Sequence, residues 1–413
     1  MTPTGQIALQ PWMQAPETAE VLAALQARGT TVRFVGGCVR DALLGKEVGD
    51  IDIATPDPPE TVLALIESAG LKAVPTGLAH GTVTAIAGGV PFEVTTLRRD
   101  VETYGRHARV AFIDDWTDDA ARRDFTINAM FLDPDGTLYD PFGGRADLAA
   151  GHVRFVGEAR RRIDEDVLRL LRFFRFHAWY GRPPADDEAL AACRELAPRL
   201  ETLSGERLQA ELFKLLAAPA PLPALELMAD AGVMPHLLPN ARAGWQARLA
   251  ALVGLEDAPA NGDAVRRLAA IVAAPTEALA ARLRLSRADG ERLAALAGAA
   301  ELPAPAMDAR AVRAMLYRLG PELFRDLALL AWSEAGGGED DGFARLLAAA
   351  ADWPSPELPV RGRDVLARGI PKGTAVGALL AEVERWWVAG DFRAGRAEAL
   401  AYLDQLIAGQ GRG

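Results

Sequence analysis

The sequence predicts an α+β protein, with a small mixed β-sheet in its N-terminal part and helices alone thereafter. Short runs rich in Val, Ile and Thr, bounded by Gly or Pro, fall early in the chain, at Val32–Val35, Thr82–Ala87 and Pro91–Leu97. Helical stretches mix with these runs without regular alternation, which favours a small mixed sheet over a doubly wound one. From Pro221 onward the chain is rich in Ala and Leu at helical spacing, with Pro and Gly breaks and no strand run.

The bulk properties bound the function. A chain of 413 residues holds two or three domains, and 50 % hydrophobic with 24 % charged residues is ordinary for a globular protein. Two cysteines, Cys38 and Cys193, exclude a disulfide scaffold and suit a reducing cytosol, so a cytoplasmic location is expected. The N-terminus lacks a basic segment followed by an apolar core, and no apolar run approaches the roughly 20 residues of a membrane span; neither a leader nor a membrane partner is expected. A net charge of −11 argues against a surface coated in nucleic acid but allows a local basic groove. Such a cluster lies between 154 and 175, where Arg154, Arg160, Arg161, Arg162, Arg169, Arg172 and Arg175 outnumber Glu158, Asp164, Glu165 and Asp166. RNA contact is expected there.

In order, residues 15 to 28 read as an amphipathic helix ending near Gly29. The strand Val32–Val35 then meets a Gly36-Gly37 turn, a helix opening at Val39, a Gly45 stop and a second strand bearing Asp50 and Asp52. Strand residues two apart share a face, so these carboxylates stand side by side while Ile51 and Ile53 turn to the core. Two hard oxygen ligands suit Mg²⁺, which keeps waters and shares itself with substrate phosphates. The glycines let backbone approach a phosphate, and Arg40 adds a side-chain donor. Taken singly, a Gly-Gly turn is also only a turn, and Asp-x-Asp also a solvated strand edge.

A helix follows from about Pro59 to Ser68, and the two later runs read as a hairpin that carries Glu93 on its second strand. Arg98 to Arg109, with Tyr104-Gly-Arg-His107, is polar without periodicity and reads as a loop. In Asp118 to Met130, Arg122, Arg123 and Asp124 crowd charge before an apolar stretch, and Asn128 can donate and accept hydrogen bonds. By itself this segment is also a helix N-terminus with a capping Asp. Glu165–Phe176 reads as one largely buried helix with Asp166, Arg169, Arg172 and Arg175 spaced three apart. Neighbours in that series sit about 60° apart, so Asp166 and Arg169 can meet one ligand whereas Arg175 lies nearly opposite Asp166. An intrahelical Asp166–Arg169 pair is the plain alternative. Residues 203 to 216 form an amphipathic helix with Ser204 as N-cap, read as structural support.

The run Gly-Gly-x-Val-Arg-Asp-x-x-Leu-Leu-Gly followed by Asp-x-Asp-Ile-Ala-Thr, with Arg-Arg-Asp-Phe-Thr-Ile-Asn-Ala and Glu-Asp-Val-Leu-Arg-Leu-Leu-Arg, resembles the signature of class II tRNA nucleotidyltransferases and bacterial poly(A) polymerases, within the polymerase β superfamily. The resemblance is specific over residues 32 to about 216 and loose thereafter. It implies a nucleotidyltransferase head at 1–148, a helical neck at 149–220 that reads the base, and a helical body and tail at 221–413 that hold tRNA. It further implies that Asp50 and Asp52 bind two Mg²⁺, with Glu93 as a third carboxylate. Gly36, Gly37, Arg40, Arg123 and Arg172 would then hold the triphosphate, and Asp124 and Asn128 the ribose. Asp166 and Arg169 would read CTP or ATP, with Arg175 nearby, and Arg98–Arg109 would match the family's mobile loop.

The implied activity is Mg²⁺-dependent addition of CCA to the 3′ end of tRNA. Poly(A) polymerases and enzymes limited to CC or A addition share the motifs, but processive grip on generic RNA wants a longer cationic track than this C-terminus offers. A noncatalytic RNA-binding protein on this scaffold would be expected to lose a metal carboxylate, and both are present.

Overall fold

The computed structural model describes residues 1–104, 107–256 and 262–410. They pack as two compact units: residues 1–241 with 262 and 281–285, and the remainder. The first unit thus contains the stretches expected as head and neck and continues to residue 241.

Its strands are β1 (Gly5–Gln6), β2 (Arg33–Val35), β3 (Ile51–Thr55), β4 (Lys72–Gly77), β5 (Thr82–Ala87), β6 (Val90–Thr96), β7 (Arg98–Tyr104), β8 (His107–Phe112), β9 (Phe131–Leu132) and β10 (Thr137–Tyr139). Eight of them form one mixed sheet in the order β1-β10-β9-β2-β3-β6-β5-β4, in which only the β3–β6 pair is parallel. That register sets Asp52 opposite Glu93. Ile51 and Ile53 are buried, as the period of two requires, and Asp52 on the other face is half-buried. Asp50 falls on the bend just before β3 rather than within the strand.

The helices of this unit include α1 (Pro16–Leu25), α2 (Gly37–Leu43), α3 (Pro59–Ser68), α4 (Trp116–Ala121), α5 (Gly144–Ala150), α6 (Ala159–Glu165), α7 (Leu168–Tyr180), α8 (Asp187–Leu196) and α9 (Gly205–Leu216). Helix α2 opens two residues earlier than the sequence suggests. Gly36 at φ +74° makes the whole turn, so the helix can start at once at Gly37. Residues 98–104 and 107–109, expected as part of a loop, belong to two paired strands in which Arg98 pairs with Phe112 and Arg99 with Ala111. Cross-strand pairing leaves no apolar period in so polar a ribbon. Within the expected mobile loop, Gly105 and Arg106 lie outside the described residues.

The helix read across Glu165–Phe176 is broken. Helix α6 ends at Glu165, Asp166 is extended at φ −150° and ψ 107°, and α7 begins at Leu168. The angular argument from a continuous helix therefore fails for Asp166, whose Oδ1 instead accepts the Leu168 N–H at 3.1 Å. Ser204 occupies the N-cap of α9 without a side-chain capping bond.

The second unit is helical. One of its cores gathers Val312, Met315, Leu316, Phe324 and Leu346, another Val360, Val365, Leu379, Val383 and Leu403. Trp387 packs edge-on to Phe392 at 5.0 Å and Trp386 stacks on Tyr402 at 4.4 Å, so these aromatics are core. Buried Glu256 accepts from Arg266 at 2.7 Å and from Arg267 at 2.8 Å.

A close backbone approach steadies the part of the first unit that carries Asn128. A Cβ on Gly144 would lie 2.1 Å from the Thr126 carbonyl oxygen, so no other residue fits without moving the turn Thr126–Asn128. Gly144→Ala is expected to destabilise the protein by about 1–3 kcal/mol and to weaken nucleotide binding together with stability. Chemical denaturation and a CTP titration of the same variant check this.

Candidate active site

Every residue that the sequence proposes for nucleotide contact lines a single cleft of about 530 Å³ in the first unit, and so does Asp52. Strand β3 brings Asp52 to it, the Gly36 turn lies beside it, and α7 contributes Arg169, Arg172 and Arg175. An ideal Cβ on Gly36 would stand 3.5 Å from Arg123 Nη1 and 3.7 Å from Asp52 Oδ2, so the positive-φ glycine keeps the space between base and acid open.

Asp50 and Glu93 are exposed and do not line the cleft, yet both act on Asp52. Burial and then the neighbouring Glu93 charge push the Asp52 carboxyl up to about 6; Asp50 adds to this and Arg123 opposes it. Among the described residues no three His, Cys, Asp or Glu side chains converge in metal-ligating geometry. Asp52, with Asp50 two positions before it and Glu93 opposite it in the β3–β6 register, supplies the hard oxygen donor type that suits a divalent cation completing its shell with water and phosphate oxygens.

The remaining side chains form a connected polar network. Asp124 takes Arg172 Nε on Oδ2 at 2.7 Å, and on Oδ1 the Phe125 N–H at 2.9 Å and Asn128 Nδ2 at 3.2 Å. Burial favours its neutral form, but Arg172 and the Asn128 hydrogen bond outweigh this and hold the carboxyl at about 2. Asn128 Oδ1 accepts from Arg40 Nη1 at 2.8 Å, Arg40 also pairs with Asp41 at 2.8 Å, and its guanidinium lies 4.3 Å over the Tyr180 ring. The capping role considered for an Asp in this segment belongs to Asp115, which accepts from Thr117 N at 2.7 Å. Asp124 is no cap.

Arg123 lines the cleft and donates from Nη2 to buried Asp119 at 3.0 Å, while its buried Nε has no hydrogen-bond partner among the described residues. Asp166 and Arg169 do not pair with each other. Asp166 Oδ2 accepts Arg207 Nη2 at 2.6 Å, while Arg169 donates to Glu165 at 2.6 Å and to the Arg122 carbonyl at 3.0 Å. Arg175 pairs with buried Glu211 at 2.5 Å and lies 4.2 Å over the Phe176 ring. It therefore braces α7 against α9.

The arginines of 154–175 are largely neutralised: Arg154 meets Asp147, Arg160 meets Glu195, and Glu165 takes Arg161, Arg162 and Arg169. The cleft is nonetheless lined by Arg40, Arg122, Arg123, Arg169, Arg172, Arg175 and Arg207 against Asp52, Asp124 and Asp166, a positive balance. Asp119, Arg207 and Glu211 escaped the sequence reading, and Glu165 figured in it only as a counter-charge and a helix end. Asp119 with Arg122 and Arg123, and Arg207 with Glu211, carry the three- and four-residue helical spacings that could have revealed two of these groups. A larger cleft of about 1040 Å³ in the second unit is lined by charges paired locally, such as Arg318–Glu301 at 2.9 Å and Tyr317–Glu384 at 2.6 Å.

Residues 32–154 match the family model of the poly(A) polymerase head domain, and residues 186–244 that of a probable RNA- and SrmB-binding site of polymerase A. The mouse mitochondrial CCA tRNA nucleotidyltransferase 1 is 36 % identical over 387 residues, covering 90 % of this chain and 86 % of that protein. The CCA-adding enzyme of Geobacillus stearothermophilus is 41 % identical over 237 residues, 57 % of each chain. The crystal structure of the Bacillus stearothermophilus CCA-adding enzyme in complex with CTP superposes with a TM-score of 0.81 at 30 % identity, covering 98 % of this chain and 99 % of that one. The chain belongs to the CCA tRNA nucleotidyltransferase family.

The raised Asp52 carboxyl has a thermodynamic consequence. An acid whose folded value stands at about 6 against an ordinary 3.8 holds its proton more tightly when folded, so ionisation removes stability as pH rises through that window. Without divalent cation, Asp52→Asn is expected to match the wild type near pH 4 and to exceed it by about 1–2 kcal/mol above pH 7. Unfolding curves in chelator at both pH values check this; a variant less stable above pH 7 sinks the idea.

Proposed function

We propose that this chain adds CCA to the 3′ end of tRNA from CTP and ATP, without a nucleic-acid template and with release of pyrophosphate. The observation that carries the reading is the single cleft that joins Asp52, the Gly36-Gly37 turn and the Asp166–Arg169 edge. Support also comes from the family and from the CTP complex of the relative with which the chain superposes.

Asp50 and Asp52 would hold the divalent cation, Mg²⁺ in this reading. When bound, Mg²⁺ lowers the pKa of the primer 3′-hydroxyl and neutralises charge on the departing pyrophosphate. Glu93 stands across the parallel register from Asp52 and is our third carboxylate. Gly36 and Gly37 admit the triphosphate, and Arg123 with Arg40 donates to its oxygens. Arg172 lines the same cleft and acts chiefly by fixing Asp124, while Asp124 and Asn128 set the polar wall facing the ribose. Asp166, an acceptor, selects bases that carry an exocyclic amino group, and Arg169 donates to ring nitrogen or carbonyl. C and A share that donor-and-acceptor edge, whereas U and G present a carbonyl where the amino group stands.

We assign residues 1–148 to the catalytic head, 149–220 to the base-reading neck and 221–413 to tRNA binding. No described helix is long and apolar enough to cross a membrane. Both cysteines are free and buried, in keeping with a cytoplasmic protein.

A tRNA transcript lacking its terminal CCA, incubated with Mg²⁺ and nucleotides, is expected to gain two residues with CTP alone and three, then arrest, with CTP and ATP. Asp50→Ala abolishes both, and Glu93→Gln slows turnover at least tenfold if Glu93 assists the hydroxyl. Single-nucleotide gels decide it: long A tails would indicate a poly(A) polymerase, and no extension by the wild type would remove the reading.

A further inference from the structure

The Asp166 carboxylate is held by two donors, one on each oxygen: the Leu168 N–H on Oδ1 at 3.1 Å and Arg207 Nη2 on Oδ2 at 2.6 Å. It sits at the break between α6 and α7, where no regular helix backbone fixes it. A carboxylate at such a junction turns freely about its last torsion unless both oxygens are engaged, and an acceptor whose plane is not fixed reads a base poorly. Arg207 enters from α9, 41 residues further along the chain, and lines the same cleft. Its side chain is 21 % exposed and that of Asp166 24 %, so the pair is open to a ligand. Arg207 makes one hydrogen bond among the described residues. It is held in turn by α9, which Glu211 ties to α7 one turn further on.

We infer that Arg207 is a positioning residue for base selection. It locks the plane of Asp166 so that the remaining lone pair of each oxygen meets an exocyclic amino group, and it keeps Asp166 from swinging away when a base carbonyl is offered. The inference rests on the proposed role of Asp166 as reader of CTP and ATP. With the lock removed, CTP should bind more weakly while UTP, which never gained from Asp166, should change little. A brace that merely held α9 in place would weaken both nucleotides alike.

The test is calorimetric titration of the full chain with CTP and with UTP, without primer, for the wild type, Arg207→Ala and Arg207→Lys. The ratio of the two Kd values is expected to shrink by about 10-fold or more in Arg207→Ala, as for loss of a hydrogen bond to a charged group, and to recover in part in Arg207→Lys, which keeps one charged donor. In tRNA extension the same Arg207→Ala change should raise KM for CTP by a similar factor with kcat nearly unchanged. An unchanged CTP-to-UTP ratio in Arg207→Ala overturns the inference, whatever happens to kcat. If Arg207→Ala does not fold, Arg207→Gln, which keeps a polar stem without the charge, carries the same ratio test. Because binding is read without turnover, a wild type that fails to extend tRNA overturns the proposed function and leaves this ratio to judge Arg207.

Discussion

Buried and half-buried carboxylates hold the arginines around the cleft, and the geometry of the site depends on them. Asp119 takes Arg122 and Arg123, Asp124 takes Arg172, Glu165 takes Arg162 and Arg169, and Glu211 takes Arg175. A guanidinium withdrawn from water without such a partner would be strongly destabilising, and an Arg left in water would sample many rotamers. Pairing each cation to a fixed acid solves both problems and leaves selected N–H groups turned to the cleft. A buried ion pair adds little net stability compared with apolar packing, so what this network contributes is orientation.

The acidic side follows the opposite logic. Asp52 has no cation bonded to it in the way Asp124 has, and it faces Glu93 across a parallel strand pair and Asp50 two residues back. Burial first and then the repulsion of Glu93 raise the Asp52 carboxyl to about 6, whereas Arg172 and the Asn128 hydrogen bond outweigh burial at Asp124 and hold it at about 2. Two aspartates in one cleft are thus prepared for different work. One is a half-buried carboxylate whose charge is disfavoured by burial and by its acidic neighbours, and the other is an anion held by Arg172, Asn128 and the Phe125 N–H. The electrostatic strain at Asp52 can persist because β3 lies inside the sheet, with neighbours on both sides.

Much of this was legible in the sequence, and what was legible was local. The Gly36-Gly37 turn, the Asp-x-Asp strand with its buried Ile51 and Ile53, the hairpin bearing Glu93 and helix α3 all depend on period and turn chemistry within about ten residues. The break at Asp166 was not legible, because Glu165–Phe176 has a continuous helical composition and nothing in it disfavours the helix. The interruption is held locally by the Leu168 N–H on one Asp166 oxygen and from outside the stretch by Arg207 on the other. The β7–β8 ribbon escaped for a related reason: its charged strands pair with each other, and pairing leaves no hydrophobic alternation to read. The basic cluster at 154–175 was legible as a cluster, but most of its pairing was not. Its arginines lie close together in sequence and some of their acids, Asp164 and Glu165, lie among them, but Asp124 and Glu211 come from elsewhere in the chain.

That non-local placement bears on how a protein can stand in for a template. A nucleic-acid template presents a rigid base edge whose donors and acceptors are set by covalent geometry. A protein must build an equivalent edge from flexible side chains, and any freedom left in them must be lost when the nucleotide binds. In the proposed reading the acceptor is the Asp166 side chain, held from α7 and α9, and the donor is the Arg169 side chain, held by Glu165 and the Arg122 carbonyl, so the two side chains have separate supports. Separate supports matter for an edge that must serve two bases of different size. A directly paired Asp166 and Arg169 would satisfy each other and have to be parted before reading anything. Held apart by third parties, both side chains keep hydrogen-bonding capacity for a ligand.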